Sequence, residues 1–180
     1  MNINELLSKQ RGDIGKTLET AAATAEEDDF IIEGDVLQIV SFLLDDVEYG
    51  VDILAVHEIL RYPDITRLPN TPEFIKGVIN LRGNVIPVVD VRLRFGLSTA
   101  EVTDLTRIIV IESEGKEVGL LVDNVYQVVR LPETHVDQPS ELIEGVSEEF
   151  IKGIGRLKDR LIVILNLGNM LFLEKKVEEQ

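Results

Sequence analysis

FIKGVINLRGNVIPVVDV, Phe74 to Val91, and FIKGIGRLKDRLIVILNL, Phe150 to Leu167, align without a gap, with apolar positions on apolar positions and Phe-Ile-Lys-Gly unchanged. Upstream, QIVSFLLDDVEYGVDILAVHEILR (Gln38 to Arg61) lies over RIIVIESEGKEVGLLVDNVYQVVR (Arg107 to Arg130), placing Ile39 on Ile108, Glu48 on Glu117, Gly50 on Gly119 and Val56 on Val125. The second copy differs in length only by a few extra residues between Arg130 and Phe150. Self-similarity of this extent is read before any local signal. Its period is too long for a solenoid, so it predicts two similar small domains side by side, with function on their faces and in the groove between them.

Working outward from the repeat, the local signals are those of strands. Leu37 to Leu44 and Arg107 to Glu112 are rich in Val, Ile and Phe and run into acidic turns, Asp45-Asp46 and Glu114-Gly115, each followed by a second strand. The next strand is read as long in both copies, Gly50 to Leu60 and Gly119 to Val129. Thr71-Pro72-Glu73-Phe74 and Ser147-Glu148-Glu149-Phe150 read as short helical turns, with a capping hydroxyl ahead of the first turn, stopped by Lys76-Gly77 and Lys152-Gly153. Two strands around a tight turn come next, Val78 to Leu81 with Val85 to Val91, repeated as Ile154 to Leu157 with Leu161 to Leu167. A short helix around Asn169 to Val177, started by Asn166 or Gly168, closes the chain. Small closed barrels fit this pattern.

Composition limits the partners. The chain has 180 residues, is 44% hydrophobic and has a formal net charge of −15. At this length roughly two thirds of the unfolded surface can be buried. A polyanion would be repelled, and the clustered Lys and Arg that counterion release requires are missing, which argues against nucleic acid. No stretch approaches the roughly 20 apolar residues that span a bilayer, and no basic region followed by an apolar one opens the chain. The absence of cysteine excludes disulfides, thiolate metal sites and cysteine catalysis. The expectation is a cytoplasmic protein with protein partners. Residues 1–35 stand outside the repeat, hold nine acidic against three basic side chains, and read as a flexible acidic tail. A weak amphipathic stripe from Ile3 to Leu18 is interrupted by Gly12 and Gly15.

The run ILAVHEILRYPDITRLPNTPEFIKGVINLRGNVIPVVDVRLRFG (Ile53 to Gly96) closely resembles the CheW family of bacterial chemotaxis coupling proteins. GLLVDNVYQVV (Gly119 to Val129) and GIGRLKDRLIVILNL (Gly153 to Leu167) match later blocks of that family, so the resemblance spans about Leu37 to Leu173. The fold is shared with the regulatory domain of the kinase CheA and with CheV proteins. A chain of this length has no room for a kinase core or a receiver domain, which favours the stand-alone coupling protein. The resemblance implies a mainly β protein: two SH3-like five-stranded barrels, short helical turns and a C-terminal helix. Their expected ranges are 36–97 and 98–180, with strands near the ends free to cross between lobes. It also implies an adaptor without catalysis or cofactor, bridging the cytoplasmic tip of methyl-accepting chemoreceptors to the CheA regulatory domain and recruited to receptor arrays at the inner face of the membrane.

By the same resemblance, Arg82, Asn80, Gly119, Val128 and Gly153 fall at receptor-coupling positions, and Val56, Glu58 and Leu60 at kinase-contact positions. An arginine suits a receptor contact because its planar guanidinium holds several acceptors in fixed geometry. Competing readings are a solvated turn for Arg82, a turn-holding side chain for Asn80, and packing roles for Gly119, Val128 and Gly153. Strand alternation predicts Val56 and Glu58 on one face; barrel core for Val56 and a solvated edge charge for Glu58 is the alternative. On this reading, Arg82 and Glu58 serve separate faces.

Other classes fare poorly. His57 and His135 are far apart in sequence and have no metal-ligand spacing around them. No P-loop, G-x-G-x-x-G or serine-base pairing occurs. Asp90 and Asp123 follow apolar strand residues and read as acceptors for backbone donors. A barrel binding a small molecule or oligosaccharide remains the alternative function, and a hydrolase with paired carboxylates a third. The first needs stacking aromatics, which are scarce at 5% with no Trp.

Overall fold

Strand β1 (Val36–Leu44) and β6 (Arg107–Ser113) explain why the repeat reads as near-continuous apolar runs. Their successive side chains enter different cores: Ile39 and Ile108 point into separate small clusters, whereas Val40, Phe42, Ile109 and Ile111 share one large cluster. A strand buried on both faces has no polar face to alternate with. The computed structural model describes residues 35–139 and 148–172. The acidic segment up to Gly34 and Ser147 therefore lie outside the described residues.

The remaining strands are β2 (Val47–Asp52), β3 (Val56–Arg61), β4 (Ile75–Leu81), β5 (Asn84–Asp90), β7 (Lys116–Val122), β8 (Asn124–Pro132), β9 (Val136–Asp137), β10 (Ile151–Leu157) and β11 (Arg160–Leu165), with short helices α1 (Val91–Arg94) and α2 (Leu167–Phe172). They form a six-stranded sheet, β8-β1-β2-β11-β10-β9, and a five-stranded sheet, β3-β6-β7-β5-β4. Each curls into an SH3-like barrel. The edges of the first, β8 and β9, are joined by the 3-10 turn Glu133–His135. Those of the second, β3 and β4, are drawn together where Thr66 forms a two-way backbone bridge with Val78, at 2.9 and 2.8 Å.

The division at residue 97 is corrected by this topology. The six-stranded barrel combines β1 and β2 of the first copy with β8 to β11 of the second, and the five-stranded barrel combines β3 to β5 of the first with β6 and β7 of the second. The copies have exchanged their opening hairpins. Two matching parallel pairs make the exchange: β11 beside β2, with Ile164 opposite Gly50, and β5 beside β7, with Val88 opposite Gly119. The exchange explains why neither expected long strand is continuous. Gly50 to Leu60 is cut by the 3-10 turn Ile53–Ala55, where Asp52 Oδ1 accepts the Leu54 N–H at 2.9 Å. Gly119 to Val129 bends at Asp123. Both breaks are the corners at which the chain passes from one barrel to the other.

The first expected helical turn is also corrected. Thr71 to Phe74 is a plain turn closed by the Ile75 N–H on Pro72 O at 3.0 Å, and Lys76 and Gly77 lie inside β4. Gly77, at φ +154°, is required because a Cβ there would strike the Thr66 carbonyl. Gly153 faces the same crossing chain in the second copy, where a Cβ would lie 2.6 Å from Val136. The glycine of the repeated Phe-Ile-Lys-Gly thus admits the chain that closes each barrel. The second turn is a 3-10 segment, Glu148–Phe150. α2 starts at Asn166, whose Oδ1 accepts the Asn169 N–H at 3.0 Å; the expected continuation to Val177 lies outside the described residues.

The large shared cluster, including Phe42, Tyr49, Phe95 and Phe150, lies between the two sheets, and each barrel has its own smaller core. Rings pack in a row through this centre from Phe42 to Tyr49 to Phe95 to Phe150 at 5.4 to 6.0 Å between centroids, the outer two pairs stacked and Tyr49–Phe95 tilted.

Candidate functional site

Arg82 and Gly83 form the two-residue tip between β4 and β5, flanked by the Leu81 and Asn84 pair. Both have positive φ, 54° and 85°, the geometry that matches the twist of a tight hairpin. Asn80 Oδ1 accepts the Gly83 N–H at 3.0 Å and holds the tip closed. The tip projects across the seam where the barrel's edge strands converge. There the Arg82 guanidinium grips Glu58 of β3 with both nitrogens, Nη1 to Oε1 at 2.8 Å and Nη2 to Oε2 at 3.0 Å. The arginine side chain is 74% exposed and the glutamate 22%. A bidentate pair of this kind fixes orientation while leaving one guanidinium face open to a partner. The residues expected on separate faces are in direct contact.

Beside this pair, His57 Nε2 lies 2.7 Å from Glu112 Oε2 of β6, and Nδ1 lies 3.3 Å from Glu117 Oε2 of β7. The strand Val56 to Arg61 is thereby tied through side chains to its neighbour and to the strand beyond.

The other expected residues separate by burial. Val56 is 2% exposed and belongs to the shared core, which corrects its assignment as a surface contact. The reason is a bulge: β3 slips register against β6 between Val56 and Glu58, so the alternation that put both on one face is interrupted. Leu60 is half-buried against the five-stranded barrel's core. Gly119 is buried opposite Val88, where a Cβ would lie 2.8 Å from Ile108 Cγ2. Val128, half-buried in β8 opposite Val40, packs on the shared core, and Gly153 is buried in β10. Asn80, Arg82, Gly119, Glu58 and Leu60 all sit in the five-stranded barrel, Val128 and Gly153 in the six-stranded one.

Reading the sequence missed the arginines of α1. Arg92 is buried and donates to Asp45 of the β1–β2 turn, to Asp123 and to the Ser98 carbonyl. The hydrogen bond to Asp45 above all raises the pKa of its guanidinium, so its charge is secure. Arg94 donates to Met170 O at 2.8 Å and lies over the rings of Phe74 and Phe150, 4.4 and 4.7 Å from their centroids. The signal was present as two arginines, beside Asp90, within the otherwise apolar stretch VVDVRLRF. Asp90 caps α1, its Oδ1 accepting the Leu93 N–H at 3.3 Å, while burial raises its pKa. Asp123 differs from expectation in serving mainly the Arg92 side chain.

The described residues thus form two SH3-like barrels that exchange hairpins around a shared core, with a polar rim of paired side chains. A family model described as a CheW-like domain matches residues 38–174. A chemotaxis protein CheW of Helicobacter pylori is 33% identical over 165 residues, covering 92% of this chain and 98% of that protein. One from Klebsiella aerogenes is 36% identical over 134 residues, covering 74% and 81%. The crystal structure of the scaffolding protein TtCheW from Thermoanaerobacter tengcongensis superposes with a TM-score of 0.73 at 38% identity, covering 77% of this chain and 94% of that one. The chain belongs to the CheW-like family of chemotaxis coupling proteins.

Proposed function

We propose that the protein is a non-catalytic adaptor joining the cytoplasmic tip of methyl-accepting chemoreceptors to the regulatory domain of the kinase CheA. The observation that carries this reading is the Arg82–Glu58 pair: an exposed guanidinium, oriented by a carboxylate on β3, at the rim of the five-stranded barrel. Receptor contact falls to Arg82 with Asn80 holding its turn, and continues toward Val128 of the other barrel. Kinase contact falls to the β3 surface through Glu58 and Leu60. Gly119 and Gly153 support the receptor side by letting strands approach, and Val56 supports β3 from within.

The pair alters the expectation of two independent faces. Removing Arg82 leaves Glu58 without its bidentate partner, so a change made for one contact reaches the other. Individually modest contacts suffice when many receptors, kinases and adaptors are linked, because linkage raises effective concentration. Such an adaptor works in the cytoplasm against the inner face of the membrane; among the described residues no helix is long and apolar enough to cross one. The test is direct binding of the purified chain to a receptor cytoplasmic hairpin and to a CheA regulatory domain. Binding to both at tens of micromolar or better supports the adaptor (roughly 6 kcal/mol), and binding to neither rejects it.

A further inference from the structure

The barrels meet through apolar side chains, and apolar attraction is non-directional. It holds two lobes together without setting the angle between them. Polar groups that cross the boundary supply direction, and the two arginines of α1 do so. Arg92 is 6% exposed. Its Nη1 donates to Asp45 Oδ1 at 2.9 Å and Asp123 Oδ2 at 2.7 Å, its Nη2 to Asp45 Oδ2 at 3.2 Å, and its Nε to Ser98 O at 2.7 Å. Each partner stands at a distinct place. Asp45 belongs to the β1–β2 turn of the six-stranded barrel, Ser98 to the connection from α1 to β6 within the five-stranded barrel, and Asp123 is the corner where the chain passes between them. Asp45 N–H also lies 3.4 Å from Asp123 Oδ2, which closes the cluster. Arg94, two residues on, adds its bond to Met170 O in α2.

The clasp is one-sided. Continuing the alignment of the two copies by one residue sets Arg92 against Gly168, so the duplication does not repeat the guanidinium. The other crossover, Ile53–Ala55, carries Leu54 with 85% of its surface exposed.

We propose that Arg92 is a positioning residue for receptor binding: by holding Asp45 and Asp123 together, it fixes the angle between the barrels. This rests on the receptor reading above, because Arg82 and Asn80 lie on one barrel and Val128 and Gly153 on the other, so their spacing depends on that angle. Glu58 and Leu60 share a single barrel, and kinase binding is independent of it. Replacing Arg92 alone leaves its two carboxylates unpaired, which is costly only for a charge cut off from water; Asp45 is 63% and Asp123 31% exposed, so both stay solvated and loss of orientation need not unfold the chain. The two effects are therefore separable.

The experiment compares the full chain with Arg92→Met, Arg92→Lys and Asp45→Asn. Titration calorimetry measures affinity for a receptor cytoplasmic hairpin and for a CheA regulatory domain. Pulsed electron resonance measures the distance between spin labels at Val85→Cys and Leu161→Cys, matching exposed positions on the two barrels in a chain that otherwise has no cysteine. Arg92→Met is expected to broaden the distance distribution and weaken receptor binding about tenfold while kinase binding stays within about twofold. Arg92→Lys, which keeps the charge but loses the fork, falls between, as does Asp45→Asn, whose site is exposed enough to leave folding intact. An unchanged distance distribution overturns the proposal, and so does equal loss of both contacts. Failure of the unsubstituted chain to bind either partner would reject the adaptor instead, and the distance measurement would still decide whether Arg92 sets the angle.

Discussion

At Arg82 and Glu58 the decisive quantity is coupling. The pair is largely exposed on the arginine side, so it adds only a few tenths to about 1 kcal/mol to stability. Arg82→Ala, Glu58→Ala and the double variant should therefore unfold at nearly the same denaturant concentration, leaving binding changes uncontaminated. The expected result is non-additivity: in a double-mutant cycle the two substitutions together weaken kinase binding less than the sum of the singles, and strict additivity would show that the pair does not link the contacts. Asp90 makes a pH prediction. Burial raises its folded-state pKa above the ordinary carboxylate value, so folding favours the protonated form. Its contribution is fully present below the unfolded value and is lost as pH rises through the folded one. Asp90→Asn keeps the cap and has no carboxylate to ionise, and should match or exceed the parent's stability at pH 7; Asp90→Ala should lose about 1 kcal/mol. Urea melts across pH 3 to 7 check both, and a large loss in the Asn variant would contradict the burial argument. Residue roles were the least legible in sequence. Val56 and Glu58 look equivalent by alternation, and only the bulge between them, a backbone event no side chain announces, sends one inward and leaves the other at the rim.

Among elements, the hairpins were plain. Each of the four tight turns joins strands through two residues, the first at a positive φ of 51° to 55°: Asp45, Arg82, Glu114 and Lys158. The acidic and glycine pairs at two of them were readable because those residues favour the turn. The corners at Ile53–Ala55 and Asp123 were not, since the chain on either side keeps its apolar character and the break is dictated by which barrel comes next. Gly119 and Gly153 are explained at this scale. Ile108 is fully buried and cannot retreat from a Cβ at Gly119, so Gly119→Ala should cost about 1–3 kcal/mol by overpacking. Gly153→Ala, against Val136 and the Asp137 carbonyl, should cost a similar amount. Thermal melts measure the loss. If either variant instead kept full stability while losing receptor affinity, the glycine would be a contact and the packing account would fail.

For the whole molecule, the duplication revealed the barrels but concealed how they are assembled. The opening hairpins of the two copies match position for position, Gly50 with Gly119 and Glu48 with Glu117, so either could fill the place beside β5 or β11. Self-similarity cannot distinguish exchange from its absence, and the division at residue 97 follows from reading the chain as linear. Exchange makes a clear prediction: fragments 36–97 and 98–172, each lacking strands of both sheets, should be unfolded when produced separately and should recover β structure by circular dichroism when mixed. A folded fragment alone would contradict the topology. On the proposed adaptor reading, one small acidic chain holds a receptor and a kinase at once. This is tested most directly by adding a receptor cytoplasmic hairpin to the preformed complex of this protein with a CheA regulatory domain and measuring the mass of the product. The expected product is a ternary assembly in which Arg82→Ala reduces receptor uptake. Displacement of the kinase domain by the receptor, with binary complexes alone, would contradict it.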